Sequence, residues 1–318
     1  MSQVKVLMDL HPQHPDETLF AKLHQFAEQQ SLEVTLMICD YRSSIASNLM
    51  LQPDSLEKAI AHLKREHIKR LNLLAEKYEH KNISYVCEAQ WHKPYYEAIL
   101  KRADELNVDW IIKSANPRQG IQRWLFTPSD YQLLKSCPQP LLLSKGQPWL
   151  DSQCILAAVD PSHAESQSSK LDSHVIRHAQ ALAVALNLPL KVCHAFDPIG
   201  WEVVMNSTAS AGVMGQFVVL DTPDDHQQLL ENLRTNHREQ LTELQKKHQL
   251  DDQQMLFLEG DPVETLIKAC EEHKAAAIVV GTTYRSGLLG STAESLLDQT
   301  ACDLVAVKHR NFNALDTH

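Results

Sequence analysis

The sequence predicts an α/β protein built from two similar halves, residues 1–148 and 149–318, each a parallel sheet with helices on both faces. Two observations predict this. Short apolar runs alternate with stretches of helical period, and the same order of elements recurs at an offset of roughly 150 to 165 residues. A third, the uneven spread of charge and glycine, says that the halves differ chemically.

Val4 to Leu10 is a mostly apolar run and reads as a buried strand. Pro15 to Gln29 then places Leu19, Phe20, Leu23, Phe26 and Ala27 at helical spacing. Strand followed by helix opens a βαβ unit. Leu32 to Cys39 reads as a strand, Asp54 to Glu79 as a long helix, Ile83 to Ala89 as a strand, Pro94 to Leu106 as a helix and Val108 to Lys113 as a fourth strand. After a basic loop from Ser114 to Phe126, Pro128 to Lys135 is a short helix and Pro140 to Ser144 the fifth strand. The linker Lys145 to Asp151 resets the pattern. In the second half the strands are Cys154 to Val159, Leu188 to His194, Gln254 to Leu258, Ala276 to Val280 and Leu304 to Val307. The helices between them are Ser169 to Leu186, Leu229 to His248, Val263 to His273 and Ala293 to Asp298.

A chain of 318 residues can bury two cores, and 43% hydrophobic with 22% charged residues is an ordinary globular balance. No apolar run approaches the ~20 residues of a membrane span. Lys5 and Asp9 interrupt the stretch in which a signal peptide needs its apolar core, so the expected compartment is the cytoplasm. Seven cysteines, an odd number without a C-x-x-C pair, predict reduced thiols with no disulfide and no structural zinc.

Residues 1–148 hold 18 Lys+Arg against 17 Asp+Glu, leaving 12 against 23 for the rest, a net of −11. The dense basic stretch Lys64 to Arg70 carries apolar residues at helical spacing and reads as a solvated helix face, so no direct nucleic-acid binding is expected. Gly120 is the first glycine, and seven of the nine lie after residue 199. A backbone cradle for phosphate is therefore confined to the second half.

In an open parallel sheet, ligands sit at the carboxyl ends of the strands. There the second half places Asp160, then Gly260-Asp261-Pro262, then Gly281. The segment Ile278 to Glu294 reads Ile-Val-Val-Gly-Thr-Thr-Tyr-Arg-Ser-Gly-Leu-Leu-Gly-Ser-Thr-Ala-Glu. With Ile155 to Asp160 and Cys302 to Lys308, it resembles the universal stress protein family. Trp91-His92, Phe126 to Asp130, Leu133-Leu134, Cys137-Pro138 and Gln147 to Trp149 resemble its tandem-domain branch, and the likeness covers both halves. The resemblance implies two Rossmann-like domains and a role in surviving stress, DNA-damaging conditions included though indirectly. We expect strand order 3-2-1-4-5 in each half. The halves should keep separate sheets and pack about a pseudo-twofold axis as an intramolecular pseudo-dimer, a further homodimer being left open.

ATP-binding members of that family carry G-x2-G-x9-G-[ST] after the fourth strand. Here Gly281 fits the first glycine and Gly290-Ser291, followed by Thr292, the last pair, but Tyr284 stands at the second glycine and the span is about four residues short. Ser291-x-x-Glu294 also reads as a capping box, and Glu294 would repel an anion. No cofactor is therefore required by the sequence, and ATP, if bound, should bind weakly. The resemblance carries Asp160 and Ala195 over as positions that contact adenosine. In the first half Lys113 replaces the first glycine, and Lys113, Arg118 and Arg123 read as cations of a solvated loop.

The remaining motifs are bland. His11-Pro-Gln-His14 lacks the glycine of H-x-G-H nucleotidylyl transferases, and Cys270-x2-His273 has no second ligand pair. No nucleophile elbow, H-E-x-x-H or Walker lysine occurs, so any activity would be at most a weak ATPase. The long apolar loop Phe196 to Asp225, with Trp201, Met205, Met214 and Phe217, reads as a lid, a groove wall or a partner surface. Three readings follow: a non-catalytic stress protein binding a small molecule or protein partner, an ATP-binding switch, and a carrier of an apolar or acyl-bearing ligand. In each, the ligand is expected between Asp160, Gly260 to Pro262, Gly281 and Gly290, lost on Gly290→Val and little changed by Lys113→Ala.

Overall fold

The structure is a computed structural model and describes residues 3–46, 53–115, 128–161, 168–199, 223–282, 284–285, 288–289 and 291–308. In the first half β1 (Val4–Asp9), β2 (Leu32–Cys39), β3 (Ile83–Gln90), β4 (Trp110–Ser114) and β5 (Leu141–Ser144) alternate with helices. These are α1 (Thr18–Ala27), the one-turn α2 (Ser43–Ala46), α3 (Pro53–Lys77), α4 (Tyr95–Leu106) and α5 (Pro128–Ser136). In the second half β6 (Cys154–Ala158), β7 (Leu190–Phe196), β8 (Met255–Glu259) and β9 (Ala275–Gly281) alternate with α6 (Ser168–Leu186), α7 (Pro223–His248) and α8 (Pro262–Glu272). The short strands β10 (Tyr284–Arg285) and β11 (Leu288–Leu289), then α9 (Ser291–Gln299) and β12 (Asp303–Val307), complete it.

Each strand and helix expected from periodicity falls on one of these elements. The largest shift is at α7, which begins at Pro223 and not at Leu229. Its first turn, Pro223-Asp224-Asp225, has no apolar residue to give a period, but proline followed by acids is a helix start favoured by the exposed N–H groups. The hairpin β10–β11 is too short for any periodic signal.

All ten longer strands form one sheet, ordered β3-β2-β1-β4-β5-β12-β9-β6-β7-β8. This corrects the expectation of two separate sheets. Neighbours within each half run parallel, and the halves join where β5 and β12 pair antiparallel, Leu141 opposite Ala306, Leu142 opposite Val305 and Leu143 opposite Leu304. The reason lies in burial. Both strands are buried along their whole length, and as lone edges each would leave a row of backbone N–H and C=O groups unpaired in apolar surroundings.

Alternating residues of each central strand enter two cores, one on each face of the sheet. Val6 and Met8 of β1, Trp110 and Ile112 of β4, Ala277 and Val279 of β9 and Val305 and Val307 of β12 face one; Leu7, Ile111, Ile278, Leu304 and Ala306 face the other. Each core takes residues from both halves, and α1 packs on α6 across the seam. Asp303 at the seam is nearly solvent-free, with Oδ1 accepting from the Lys145 N–H (2.8 Å) and Oδ2 from the Trp149 indole N–H (2.9 Å).

Candidate functional site

Asp9 ends β1, where a parallel sheet opens toward ligand, and it is only 2% exposed. It lines a cavity of about 500 Å³ with His11, Asp40, Tyr41, Tyr95 and Lys113. The Tyr95 hydroxyl, from α4, donates to Asp9 Oδ2. Lys113, the fourth residue of β4, sets its ammonium 3.2 Å from Asp130 in the first turn of α5 and 3.9 Å from Asp9 Oδ2. Asp9 Oδ1 has no hydrogen-bond partner among the described residues. Burial pushes the Asp9 carboxyl up to about 6, against the pull of Lys113 and of the Tyr95 hydrogen bond. Burial, and then Asp9, hold the Tyr95 phenol well above its ordinary range, so it remains a donor. On the rim, Asp40 accepts from Arg42 and pairs with His67, each at 3.0 Å.

This arrangement corrects the reading of Lys113 as a solvated cation. It is 4% exposed, and its charge is taken up by two carboxylates, so it offers no free positive charge for an anion. His67, expected on a solvated helix face, turns inward to Asp40, while Lys64, Arg65 and Lys69 stay at least partly exposed. Arg118 and Arg123 lie outside the described residues.

In the second half Asp160 follows β6 and is largely exposed, its N–H donating to Asp172 Oδ1 of α6 (3.0 Å). Its carboxylate lies 3.9 Å from His194 Nδ1, and His194 Nε2 lies 2.7 Å from His237 Nδ1 of α7. Both histidines are buried. Ala195 is half-buried one residue further along β7. Gly260 takes a φ of +131°, a conformation for which glycine is suited, and Asp261 caps α8, its Oδ1 accepting from the N–H of Val263 (2.9 Å) and of Glu264 (3.0 Å), with Pro262 opening the helix. Gly281 ends β9 beneath α6, where a Cβ would come within 2.7 Å of Leu171 Cδ2. A side chain there would force Leu171 to shift. Ser291 opens α9, Thr292 is half-buried beside it, and Glu294 lies in the first turn. Gly290, Trp201, Met205, Met214 and Phe217 lie outside the described residues.

The strand ends therefore gather Asp160, Ala195, Gly260 and Gly281 along one edge of the second-half sheet. The first-half cavity has no glycine motif to mark it in the sequence. A signal was present, since Asp9 is an acid at the carboxyl end of the first strand, as Asp160 is just past the first strand of the second half. The His194–His237 pair gave none, because the two lie 43 residues apart on different elements.

The universal stress protein family matches the chain at residues 6–145 and again at 153–308. Among curated proteins, Universal stress protein E of Photorhabdus laumondii is 25% identical over 317 residues, covering 96% of this chain and 95% of its own. Universal stress protein E of Escherichia coli K12 is 22% identical over 311 residues, 95% and 93% of the two chains. A Pseudomonas aeruginosa UCBPP-PA14 crystal structure, described as a candidate universal stress protein, superposes with a TM-score of 0.72 over 98% of this chain and 95% of its own, at 22% identity, and so shares the fold. Two family domains spanning nearly all of both halves place this chain in the universal stress protein family, and it belongs there as a tandem-domain member.

Proposed function

We propose that the protein supports survival under stress without catalysis, by holding a small molecule at the carboxyl ends of its strands and offering the occupied surface to a protein partner. Family membership implies the stress role. The observation that carries the ligand reading is the cavity of about 500 Å³ in which a buried carboxylate oxygen of Asp9 has no partner among the described residues. A buried polar atom without a partner costs about 1–3 kcal/mol, which a ligand's hydrogen-bond donor would recover. The second-half set of Asp160, Ala195, Gly260, Asp261, Pro262, Gly281, Gly290, Ser291 and Thr292 is proposed as a second place, with Trp201, Met205, Met214 and Phe217 as its apolar wall. ATP suits neither well. Lys113 is neutralised by Asp9 and Asp130, and Glu294 stands in the turn that a phosphate would face. Action in the cytoplasm, with any part in DNA-damage survival indirect, belongs to the same reading. No described helix is long and apolar enough to cross a membrane.

The test is to denature the purified protein, identify released small molecules by mass spectrometry, and titrate the recovered compound into Asp9→Asn and Gly290→Val. Loss on Asp9→Asn alone assigns the first-half cavity, and loss on Gly290→Val alone assigns the second-half crevice. No compound recovered, or a compound that binds both variants like wild type, sinks the proposal.

A further inference from the structure

Four of the seven thiols, Cys39, Cys137, Cys154 and Cys193, lie against backbone carbonyl oxygens at 3.3 to 3.6 Å and are buried. Burial pushes them up to about 11 or 12, which keeps them protonated, and none of them lines the cavity that holds Cys270 and Cys302. Cys270 and Cys302 differ. Cys270 lies on the buried face of α8, 4% exposed, and Cys302 packs against the same core from the turn before β12, half-buried. Both line one solvent-connected cavity of about 190 Å³, beside Trp149 and Ser152. The Thr300 hydroxyl stands 3.2 Å from Cys302 Sγ. The neighbouring Cys270 thiol lowers Cys302, and Cys302 together with burial raises Cys270.

We propose that Cys270 and Cys302 are a peroxide-reactive dithiol that closes to a reversible intramolecular disulfide. Cys302 is the more exposed of the two, and Cys270 shares the wall of the same cavity. Cys302 thiolate attacks one oxygen of a hydroperoxide. The O–O bond breaks, the departing oxygen leaves as an alcohol or water after taking a proton, and Cys302 becomes a sulfenic acid. The Cys270 sulfur then attacks the sulfenic sulfur. An S–S bond forms, and the sulfenic oxygen departs as water with the Cys270 proton. Two thiols are oxidised and one peroxide is reduced. The reverse step consumes an external thiol such as dithiothreitol, which is oxidised to its own disulfide.

The site lies beside the seam, because Cys302 directly precedes Asp303, the acceptor for Lys145 and Trp149. Its oxidation state is thus placed where the two halves meet. Nothing in this inference depends on the ligand reading above.

Hydrogen peroxide is added to the full-length reduced protein, and free thiols are counted after denaturation. Seven should fall to five and return to seven with dithiothreitol. Non-reducing tryptic mapping should join fragment 269–274 to fragment 286–308, two hydrogens lighter than their sum. Cys270→Ser should instead carry a trappable sulfenic acid at Cys302, and Cys302→Ser should keep all of its remaining thiols at the same peroxide dose, with circular dichroism reporting that both are folded. The wild-type map decides the matter even if a variant fails to fold. Seven thiols retained, a bond to Cys154 or any other cysteine, a disulfide between chains, or direct passage of Cys302 to sulfinic acid would each overturn the proposal.

Discussion

Lys22 Nζ of the first half lies 2.6 Å from Asp303 Oδ2 of the second, with both side chains at most 2% exposed. The same ammonium donates to Ser144 Oγ at 2.6 Å and sits 5.3 Å from the centre of the Trp149 ring. Burial raises the Asp303 carboxyl, and Lys22 draws it back. An ion pair this deep is held by geometry, since desolvating two charges offsets much of their attraction.

Removing one partner therefore costs more than removing both. Lys22→Met should destabilise the protein by about 3–5 kcal/mol, because it strands the Asp303 charge, while Lys22→Met with Asp303→Leu should recover part of that loss. Urea unfolding of the set checks this. Equal midpoints for the single and double variants would show that the pair is not coupled.

Asp9 gives a pH signature. Its carboxyl titrates near 3.8 in the unfolded chain and about 6 in the fold, so between these values the folded state holds the extra proton and stability falls as pH rises. The loss amounts to roughly 3 kcal/mol across that window. Asp9→Asn keeps an acceptor for the Tyr95 hydroxyl and has no carboxyl to titrate. It should gain on wild type from pH 4 to pH 7, read as a growing difference in thermal midpoint; a constant difference would contradict the assignment.

Lys113→Met should act in the opposite sense. Asp130, fully buried, loses its cation, at a cost of roughly 3–5 kcal/mol, and Asp9 rises further because Lys113 lowers it now. Denaturation at pH 5 and pH 8 should show a larger loss at the higher pH, where Asp9 is ionised without its cation.

Gly281 tests packing against phosphate binding. Gly281→Ala drives a methyl into Leu171, at about 1–3 kcal/mol. Combining it with Leu171→Ala should cost less than the two singles summed. Strict additivity would return the glycine to a backbone or ligand role.

The order of elements was legible because each strand is a compact apolar run and each helix keeps its period, as in Leu32–Cys39, read to the residue. The single sheet was not legible. Strand patterns report burial on two faces and carry nothing about the edge, so Leu141–Ser144 and Asp303–Val307 gave no sign that they pair. The glycines were legible as special positions but not in their purpose: Gly281 yields to Leu171, and Asp261 beside Gly260 is occupied as a helix cap. Lys113 was misread because its partners, Asp9 and Asp130, come from distant segments.

The antiparallel seam between β5 and β12 turns the carboxyl ends of the two half-sheets to opposite edges of the molecule. The two sets of strand ends are linked through one shared ladder. In an assembly of identical subunits every substitution appears in duplicate, and assembly weakens on dilution. Here residues 145–153 tether the halves, which meet at an effective concentration on the order of millimolar however dilute the protein. Each position exists once, which leaves one half free to carry Lys113 at a strand end where the other carries Gly281.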